Sequence, residues 1–208
     1  MEDVLVVYQR PLDPVHPVIC MDETSKQLVS ETRAALPVAP GQPPREDYEY
    51  ERQGVANLFL FCEPLTGWRE IQVTERRTRT DGAGAMRELS DRHYPAAERI
   101  TVVLDNLNTH GPASFYEAFA PEEARRLAER FEFHYTPKHG SWLNVAEVEL
   151  SVLSRQCLER RMGEVTVLRR EIGAWQRKRN AASKTIDWQF TTAEARTKLK
   201  RLYPLIKT

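Results

Sequence analysis

The sequence of 208 residues lacks any long apolar run, since no stretch approaches the roughly 20 residues needed to span a bilayer. Its first residues, Met1-Glu2-Asp3, are acidic and show no signal-peptide pattern. Cysteine is scarce: Cys20, Cys62 and Cys157 are odd in number, far apart and set among apolar residues. These absences argue against a membrane protein, a disulfide framework and a zinc site. They favour a cytosolic protein whose cysteines are reduced core residues.

The sequence also lacks net charge, which at first argues against a nucleic-acid partner. The charge is unevenly distributed, however. Residues 151–208 contain 14 Lys/Arg and 5 Asp/Glu, a formal charge of +9, and the first 150 residues have the opposite charge. A basic C-terminal third beside an acidic body is consistent with an enzyme that binds both DNA and metal. A solvated basic helix face explains the pattern equally well.

Apolar runs bounded by turn residues predict five strands. They are residues 17–22, 55–62, 68–74, 100–104 and 131–135. The first two of these are separated by a proline-rich stretch, residues 34–47, which predicts an irregular loop because proline cannot serve a central strand.

Helix start signals and apolar stripes predict the helices. Their predicted starts are Thr80 or Asp81, Pro121, Leu143, Val165 and a capping box at Thr191 and Glu194. Three early strands suit an antiparallel meander, and later strands separated by helices suit parallel crossovers. We therefore expect an α/β fold, a mixed five-stranded sheet with helices on both faces. Residues 1–163 are expected to form this core and residues 164–208 a basic helical extension packed on it.

Two of the predicted strands end in an acid, Asp22 in one case and Asp105 in the other. In open α/β sheets, ligands bind beyond the carboxyl ends of the strands. If these two strands are parallel neighbours, about 4.8 Å apart, their acids can share a metal ion. Glu147, in the first turn of a predicted helix, is the natural third acid. Such a set of oxygen ligands suits two Mg²⁺ or Mn²⁺ ions and phosphodiester chemistry.

Each of these acids also has a purely structural explanation. An aspartate after a strand commonly caps a helix or a turn. Glu147 follows Asn144 by three residues, the spacing of a capping box. Glu23 and Glu149 are nearby acids that are expected to point elsewhere, because they lie one or two positions from the proposed ligands.

Two longer stretches of sequence are more specific evidence than the spacing of the acids. Residues 104–110, Leu-Asp-Asn-Leu-Asn-Thr-His, resemble the second-aspartate motif of bacterial insertion-sequence transposases related to the mariner superfamily. Residues 134–147, His-Tyr-Thr-Pro-Lys-His-Gly-Ser-Trp-Leu-Asn-Val-Ala-Glu, resemble their third-acid motif, and Met21-Asp22-Glu23 resembles the first. The resemblance is to the insertion sequence six-thirty group and extends from about residue 17 to residue 204.

The resemblance implies a DDE transposase catalytic domain in which Asp22, Asp105 and Glu147 are the catalytic, metal-binding triad. The implied fold is the ribonuclease-H-like three-layer fold, whose element order also agrees with the predicted strands and helices. The implied chemistry is cleavage at transposon ends and transfer of a 3′-hydroxyl to target DNA, with two Mg²⁺ or Mn²⁺ ions. Double-stranded DNA is the expected partner, a homodimer the expected assembly on DNA, and the bacterial cytoplasm and nucleoid the expected location.

Further residues are expected to support this chemistry. Asn106, His110 and Asn144 lie within the motifs and are predicted to orient acids or phosphate, although His110 also suits a helix cap or a buried position. DNA contacts are predicted for Lys138, His139, Trp142, Arg169, Arg170, Arg177, Lys178 and Arg179. For Trp142 the structural alternative is core packing, and for the basic residues it is a solvated surface.

Two departures from the family pattern affect the interpretation. Asp105 and Glu147 are 42 positions apart, longer than in the compact mariner pattern, and residues 111–130 can hold the excess as loop and helix. Relatives place helix-turn-helix domains ahead of the core, whereas 21 residues precede Asp22 here. We therefore expect a catalytic fragment, half of a split reading frame or a decayed copy. The alternative function is a non-catalytic DNA-binding remnant. An RNA–DNA hybrid nuclease is disfavoured, because the larger acid set of that family is not found.

Overall fold

A computed structural model describes residues 1–33, 41, 48–105 and 111–203. Within these residues the chain forms one five-stranded sheet in the spatial order β3-β2-β1-β4-β5. The strands are β1 (Val18–Glu31), β2 (Tyr50–Glu63), β3 (Trp68–Thr74), β4 (Ile100–Leu104) and β5 (Phe131–Tyr135). Apart from Gly41, the predicted loop at residues 34–47 lies outside the described residues.

The sheet is mixed, as the sequence predicts. β1 pairs antiparallel with β2, with Cys20 opposite Cys62, and β2 pairs antiparallel with β3. β1 pairs parallel with β4, with Cys20 opposite Val103, and β4 pairs parallel with β5. The antiparallel meander and the parallel crossovers are both confirmed.

β1 is much longer than the apolar run that predicts it. The strand continues nine residues beyond Asp22, to Glu31, and stays paired with β2 through a bulge at Leu28/Val29. Its pairing with β4 stops at Cys20. Asp22 is therefore inside β1 but just beyond the end of the parallel ladder, because the antiparallel partner extends the strand through polar residues that the apolar pattern does not include.

Seven α-helices are present in the described residues. They are α1 (Glu2–Val7), α2 (Arg79–Glu88), α3 (Pro112–Ala118), α4 (Pro121–Arg130), α5 (Val145–Leu153), α6 (Val165–Ala181) and α7 (Thr192–Lys198). The start of α2 differs from prediction: Thr78 is the N-cap, in a reciprocal capping box with Asp81. The predicted capping box of Thr191 and Glu194 is present at the start of α7. α1 and α3 were not predicted.

The helices cover both faces of the sheet and enclose two hydrophobic clusters. Cys20, Leu58 and Leu60 face the first cluster, which α1, α5, α6 and α7 complete. Phe59 and Phe61 face the second, which α2, α3 and α4 complete. This alternation along β2 is what a strand buried on both faces requires. The three-layer α/β prediction is confirmed.

The C-terminal third is part of the same core. Leu168, Ile172 and Trp175 of α6 are buried in the first cluster. The division between residues 1–163 and 164–208 stays a prediction, although its second part does pack on the sheet. All three cysteines are buried and form no disulfide, as predicted. In the described ranges no helix is long and apolar enough to cross a membrane.

Side chains of α6 hydrogen-bond to the backbone of the edge strand β3. The Asn180 side chain accepts from the Arg69 N–H at 2.9 Å and donates to the Arg69 carbonyl at 2.8 Å. Gln176 accepts from the Ile71 N–H at 3.0 Å. These amides satisfy backbone groups that another strand would otherwise have to satisfy.

A buried ion pair joins α5 to β3. Arg69 and Glu149 are each only 1% exposed, and the Arg69 Nε and Nη2 atoms donate to the two Glu149 oxygens at 2.7 and 2.8 Å. Arg179 of α6 adds a third donor at 2.8 Å. Burial by itself raises the pKa of Glu149, but the hydrogen bonds and charges of Arg69 and Arg179 outweigh it and hold the pKa below its usual value.

Neutralising Glu149 should strongly destabilise the protein. Glu149→Gln leaves the buried Arg69 guanidinium without a counter-charge, and loss of one partner of a buried pair costs about 3–5 kcal/mol in free energy of unfolding. Chemical denaturation measures the change. The control is Glu129→Gln, which breaks an exposed pair with Arg125 and should leave the midpoint almost unchanged. Equal effects of the two substitutions would contradict the role given to the buried pair.

Candidate metal-binding and catalytic site

Asp22 and Asp105 lie at one edge of the sheet. Asp22 is two residues beyond Cys20, the last β1 residue paired with β4, and Asp105 is two residues beyond its partner Val103. Because side chains alternate along a strand, Asp22 shares the face of Cys20, which is the face covered by α5. Continued by two residues, the parallel register would bring Asp105 opposite Asp22.

Glu147 lies on α5, the helix that covers this face of the sheet. It occupies the third position of α5, which packs against β1 and β2. Glu147 is exposed, whereas its neighbours Ala146 and Glu149 are buried. Glu147 therefore points to solvent at the start of α5, and Glu149 is committed to Arg69, as expected for a nearby acid that points elsewhere.

Asn144 joins the start of α5 to the strand that holds Asp22. Its side-chain nitrogen donates to the Met21 carbonyl at 2.8 Å, and its side-chain oxygen accepts from the Ala146 N–H at 3.1 Å. The side chain is fully buried. Asn144 is therefore both the N-cap of α5 and a bridge to the residue before Asp22. The cap bond goes to Ala146, not Glu147, so a capping box is not what fixes Glu147.

Tyr8, at the end of α1, also holds the start of α5 in place. Its hydroxyl donates to the Leu143 carbonyl at 2.7 Å and accepts from the Val145 N–H at 3.2 Å. The sequence analysis did not identify this residue, because nothing in the sequence near Tyr8 indicates a contact with residues more than 130 positions away.

Glu147 and Asp105 are close enough to Asp22 to affect its ionisation. The pKa of Asp22 is raised to about 7, chiefly because the side chain is only 9% exposed. The negative charges of Glu147, Asp105 and Glu23 raise it further, against the opposing hydrogen bond from the Glu23 N–H. A divalent cation at this edge would relieve that repulsion, and carboxylate oxygens are the ligands that Mg²⁺ prefers.

The described residues contain no set of three His, Cys, Asp or Glu side chains placed closely enough to hold a metal ion as they stand. The acids therefore fit a metal in their chemistry and charge, without forming a closed cage. Asn106 and His110, which follow Asp105, lie outside the described residues. Their supporting roles stay predictions.

The predicted DNA-contacting residues before α5 are on the surface near Glu147. Lys138 and His139 are exposed, and His139 has a positive φ of 63°. Trp142 is 47% exposed and meets Phe190 edge-on, with ring centroids 5.9 Å apart. Trp142 is thus supported by packing on one side and open to solvent on the other.

The predicted DNA-contacting residues of α6 differ in their surroundings. Arg169, Arg170, Arg177 and Lys178 are exposed. Arg179 instead turns inward, where it binds Glu149 and lies over the ring of Trp175. Arg170 pairs with Glu171 at 3.3 Å, and Arg169 donates to the Val73 carbonyl at 3.3 Å. All four residues nevertheless stay exposed and so accessible to a phosphate backbone, whereas the Arg179 guanidinium is bound to buried Glu149.

Residues 17–169 match the DDE superfamily endonuclease family, and the chain belongs to that family. No match was found among curated proteins.

The fold is similar to solved structures of the Mos1 mariner transposase. A paired-end complex with Mn is 18% identical, with a TM-score of 0.53 over 84% of this chain and 52% of that one. A strand transfer complex is 17% identical, with a TM-score of 0.54 over 84% and 50%. A pre-cleavage transpososome is 15% identical, with a TM-score of 0.52 over 90% and 60%. The chain thus spans about half the length of these Mos1 chains, and the likeness confirms the ribonuclease-H-like fold.

Asn144 should be needed for the stability of this edge. Asn144→Ala removes the helix cap and the bond to Met21, so we expect the free energy of unfolding to fall by about 1–3 kcal/mol. Asn144→Ser keeps a cap acceptor but is too short to reach Met21, and its loss should be smaller. Denaturant titration of both variants measures this ranking. A serine variant as unstable as the alanine variant would show that the cap contributes nothing.

The raised pKa of Asp22 predicts a pH-dependent penalty in metal-free protein. Between pH 3.8 and about 7 the unfolded chain loses a proton that the folded chain keeps, so this contribution to stability falls as pH rises and is fully lost above pH 7. Asp22→Asn should therefore stabilise the protein at pH 8 by on the order of 2–4 kcal/mol. The gain should shrink towards pH 4.

Thermal unfolding with chelator present, measured across this pH range, gives the comparison. Glu122→Gln, which neutralises an exposed acid on α4, is the control and should show no such trend. A gain from Asp22→Asn that is independent of pH would contradict the assigned ionisation.

Proposed function

We propose that this chain is the catalytic domain of a DNA transposase of the insertion sequence six-thirty group. It cuts DNA at transposon ends and joins the freed 3′-hydroxyl to target DNA. The proposal is supported by the placement of Asp22 and Asp105 two residues beyond the paired Cys20 and Val103, at one edge of the sheet, and of Glu147 in the first turn of α5, which packs on β1. The charges of Glu147 and Asp105 also contribute to the raised pKa of Asp22. Membership of the DDE superfamily endonuclease family supports it, as does the likeness to Mos1 chains described as paired-end and strand transfer complexes.

Asp22, Asp105 and Glu147 would hold Mg²⁺ or Mn²⁺, as two ions. Mos1 paired-end complexes are described with each of these metals. When bound, such ions lower the pKa of the attacking water or hydroxyl and neutralise the leaving oxygen. Asn144, which bonds to the Met21 carbonyl, would keep the helix turn of Glu147 close to Asp22. Glu149 takes no part, because its two oxygens are occupied by Arg69 and Arg179.

The exposed cations of α6 would bind the phosphate backbone. Arg169, Arg170, Arg177 and Lys178 supply positive charge without a shape that selects a base sequence. Binding through them is expected to be non-specific and to weaken as salt rises. The proposal includes a homodimer assembled on two DNA ends and a bacterial, nucleoid-associated protein.

The decisive experiment measures cleavage of DNA as a function of added metal ion. Wild-type chain should nick supercoiled plasmid with Mn²⁺ or Mg²⁺ and not with chelator. Asp105→Asn and Glu147→Gln should each reduce nicking at least about 100-fold, since loss of even an outer partner of a metal ligand costs 10- to 100-fold. Glu122→Gln is the matched control for loss of one acidic charge and should cut like wild type.

Metal binding can also be measured without catalysis, from the melting temperature. Mn²⁺ should raise the melting temperature of the wild-type protein, because a ligand that binds only the folded state stabilises it. It should not do so for Asp22→Asn or Asp105→Asn. DNA binding that persists without any metal-dependent stabilisation or nicking would overturn the proposal in favour of a non-catalytic DNA-binding remnant.

A further inference from the structure

Beside the candidate site, a large aromatic ring is exposed to solvent. Trp142 lies in the 3₁₀ turn Ser141–Leu143, directly before the Asn144 cap of α5. Nearly half of its surface, 47%, is accessible, and Val148 on the next turn is 48% exposed. Glu147 lies between them in the chain and is also exposed. The exposed indole and the exposed acid thus lie within one short stretch of chain, which makes the ring available to a ligand held at the acids.

The indole is held from behind by a series of packed groups. Phe190 meets it edge-on, and the Lys198 ammonium lies 5.7 Å from the centre of the Phe190 ring. Trp188 fixes this segment, because its Nε1 donates to the Phe190 carbonyl at 2.8 Å and its ring contacts Tyr8 at 5.0 Å. Trp142 therefore presents its open surface from a supported position.

The turn that holds Trp142 is also fixed by its backbone. The Gly140 N–H donates to the Pro137 carbonyl at 2.8 Å, and the Asn144 N–H donates to the Ser141 carbonyl at 2.7 Å. A side chain at position 140 would collide with Pro137, because an added Cβ would lie 2.6 Å from the proline ring. Trp142 is five residues from Glu147, so their Cα atoms are at most about 17 Å apart. The indole is within a few nucleotides of any phosphate held at the acids.

We propose that Trp142 stacks on an unpaired nucleobase next to the scissile phosphate and so stabilises local opening of the duplex where it is cut. This inference rests on the proposed function, since it places the scissile phosphate at Asp22, Asp105 and Glu147. A flat aromatic surface suits any base, because every base has a π face, and such stacking needs no sequence recognition. Exposed Lys138, in the turn just before the Ser141–Leu143 turn, supplies positive charge for the adjoining backbone.

The test compares duplexes that are fully paired with duplexes that are mismatched at the cut. Trp142→Ala should reduce Mn²⁺-dependent cutting of the paired duplex by about 5- to 150-fold, the range expected from loss of one stacked base. Trp142→Phe, which keeps a smaller ring, should lose less. On the mismatched duplex the defect should shrink, because the base is already unpaired.

A second measurement tests binding of unpaired bases and does not need catalysis. Binding of oligodeoxythymidylate, followed by fluorescence anisotropy without metal, should weaken for Trp142→Ala and weaken less for Trp142→Phe. Tyr116→Ala, which removes a 54% exposed aromatic ring from α3, is the matched control and should bind and cut like wild type.

The outcomes separate the two proposals. If wild-type chain cuts neither duplex, the proposed function fails, and the oligonucleotide arm still tests Trp142. Equal loss on paired and mismatched duplexes would assign Trp142 a structural role and overturn the inference. Unchanged oligonucleotide binding by Trp142→Ala would overturn it as well.

Discussion

One side-chain hydrogen bond, from Asn144 to the Met21 carbonyl, ties the start of α5 to β1, the strand that carries Asp22. Burial raises the pKa of Asp22, and the negative charges of Glu147 and Asp105 raise it further. A neutral amide between helix and strand holds the two together without adding charge. The site is thus kept in place by its surroundings at a cost in stability, as is common where function requires like charges together.

Much of this arrangement can be predicted from local sequence. The bounds of β3, β4 and β5 agree with the apolar runs, because each strand is short and bounded by turn or helix signals. Asp22 and Asp105 could be placed at one edge because parallel neighbours bring their carboxyl ends together. Glu147 was predicted to lie in the first turn of a helix starting near Leu143, and it does lie in the first turn of α5, which starts at Val145. The motif likeness then separated these acids from ordinary caps, which spacing alone did not do.

What could not be predicted depends on contacts between distant parts of the chain. The continuation of β1 beyond Asp22 is set by pairing with β2, and its polar residues give no apolar signal. The hydroxyl of Tyr8 reaches Leu143 and Val145 across more than 130 positions. The partner of Glu149 is also remote, so the sequence showed only that this acid faces away from Glu147 and not that it is buried against Arg69.

The amide contacts on β3 limit how copies of this chain can associate. Gln176 and Asn180 already occupy the N–H groups of Ile71 and Arg69 and the Arg69 carbonyl, so this stretch of β3 offers no template for an incoming strand. Intermolecular sheet growth through that border is blocked by the chain's own helix. Association of two copies of this chain would therefore use surfaces other than this stretch of β3, and a high local concentration of the protein would not lead to polymerisation through it.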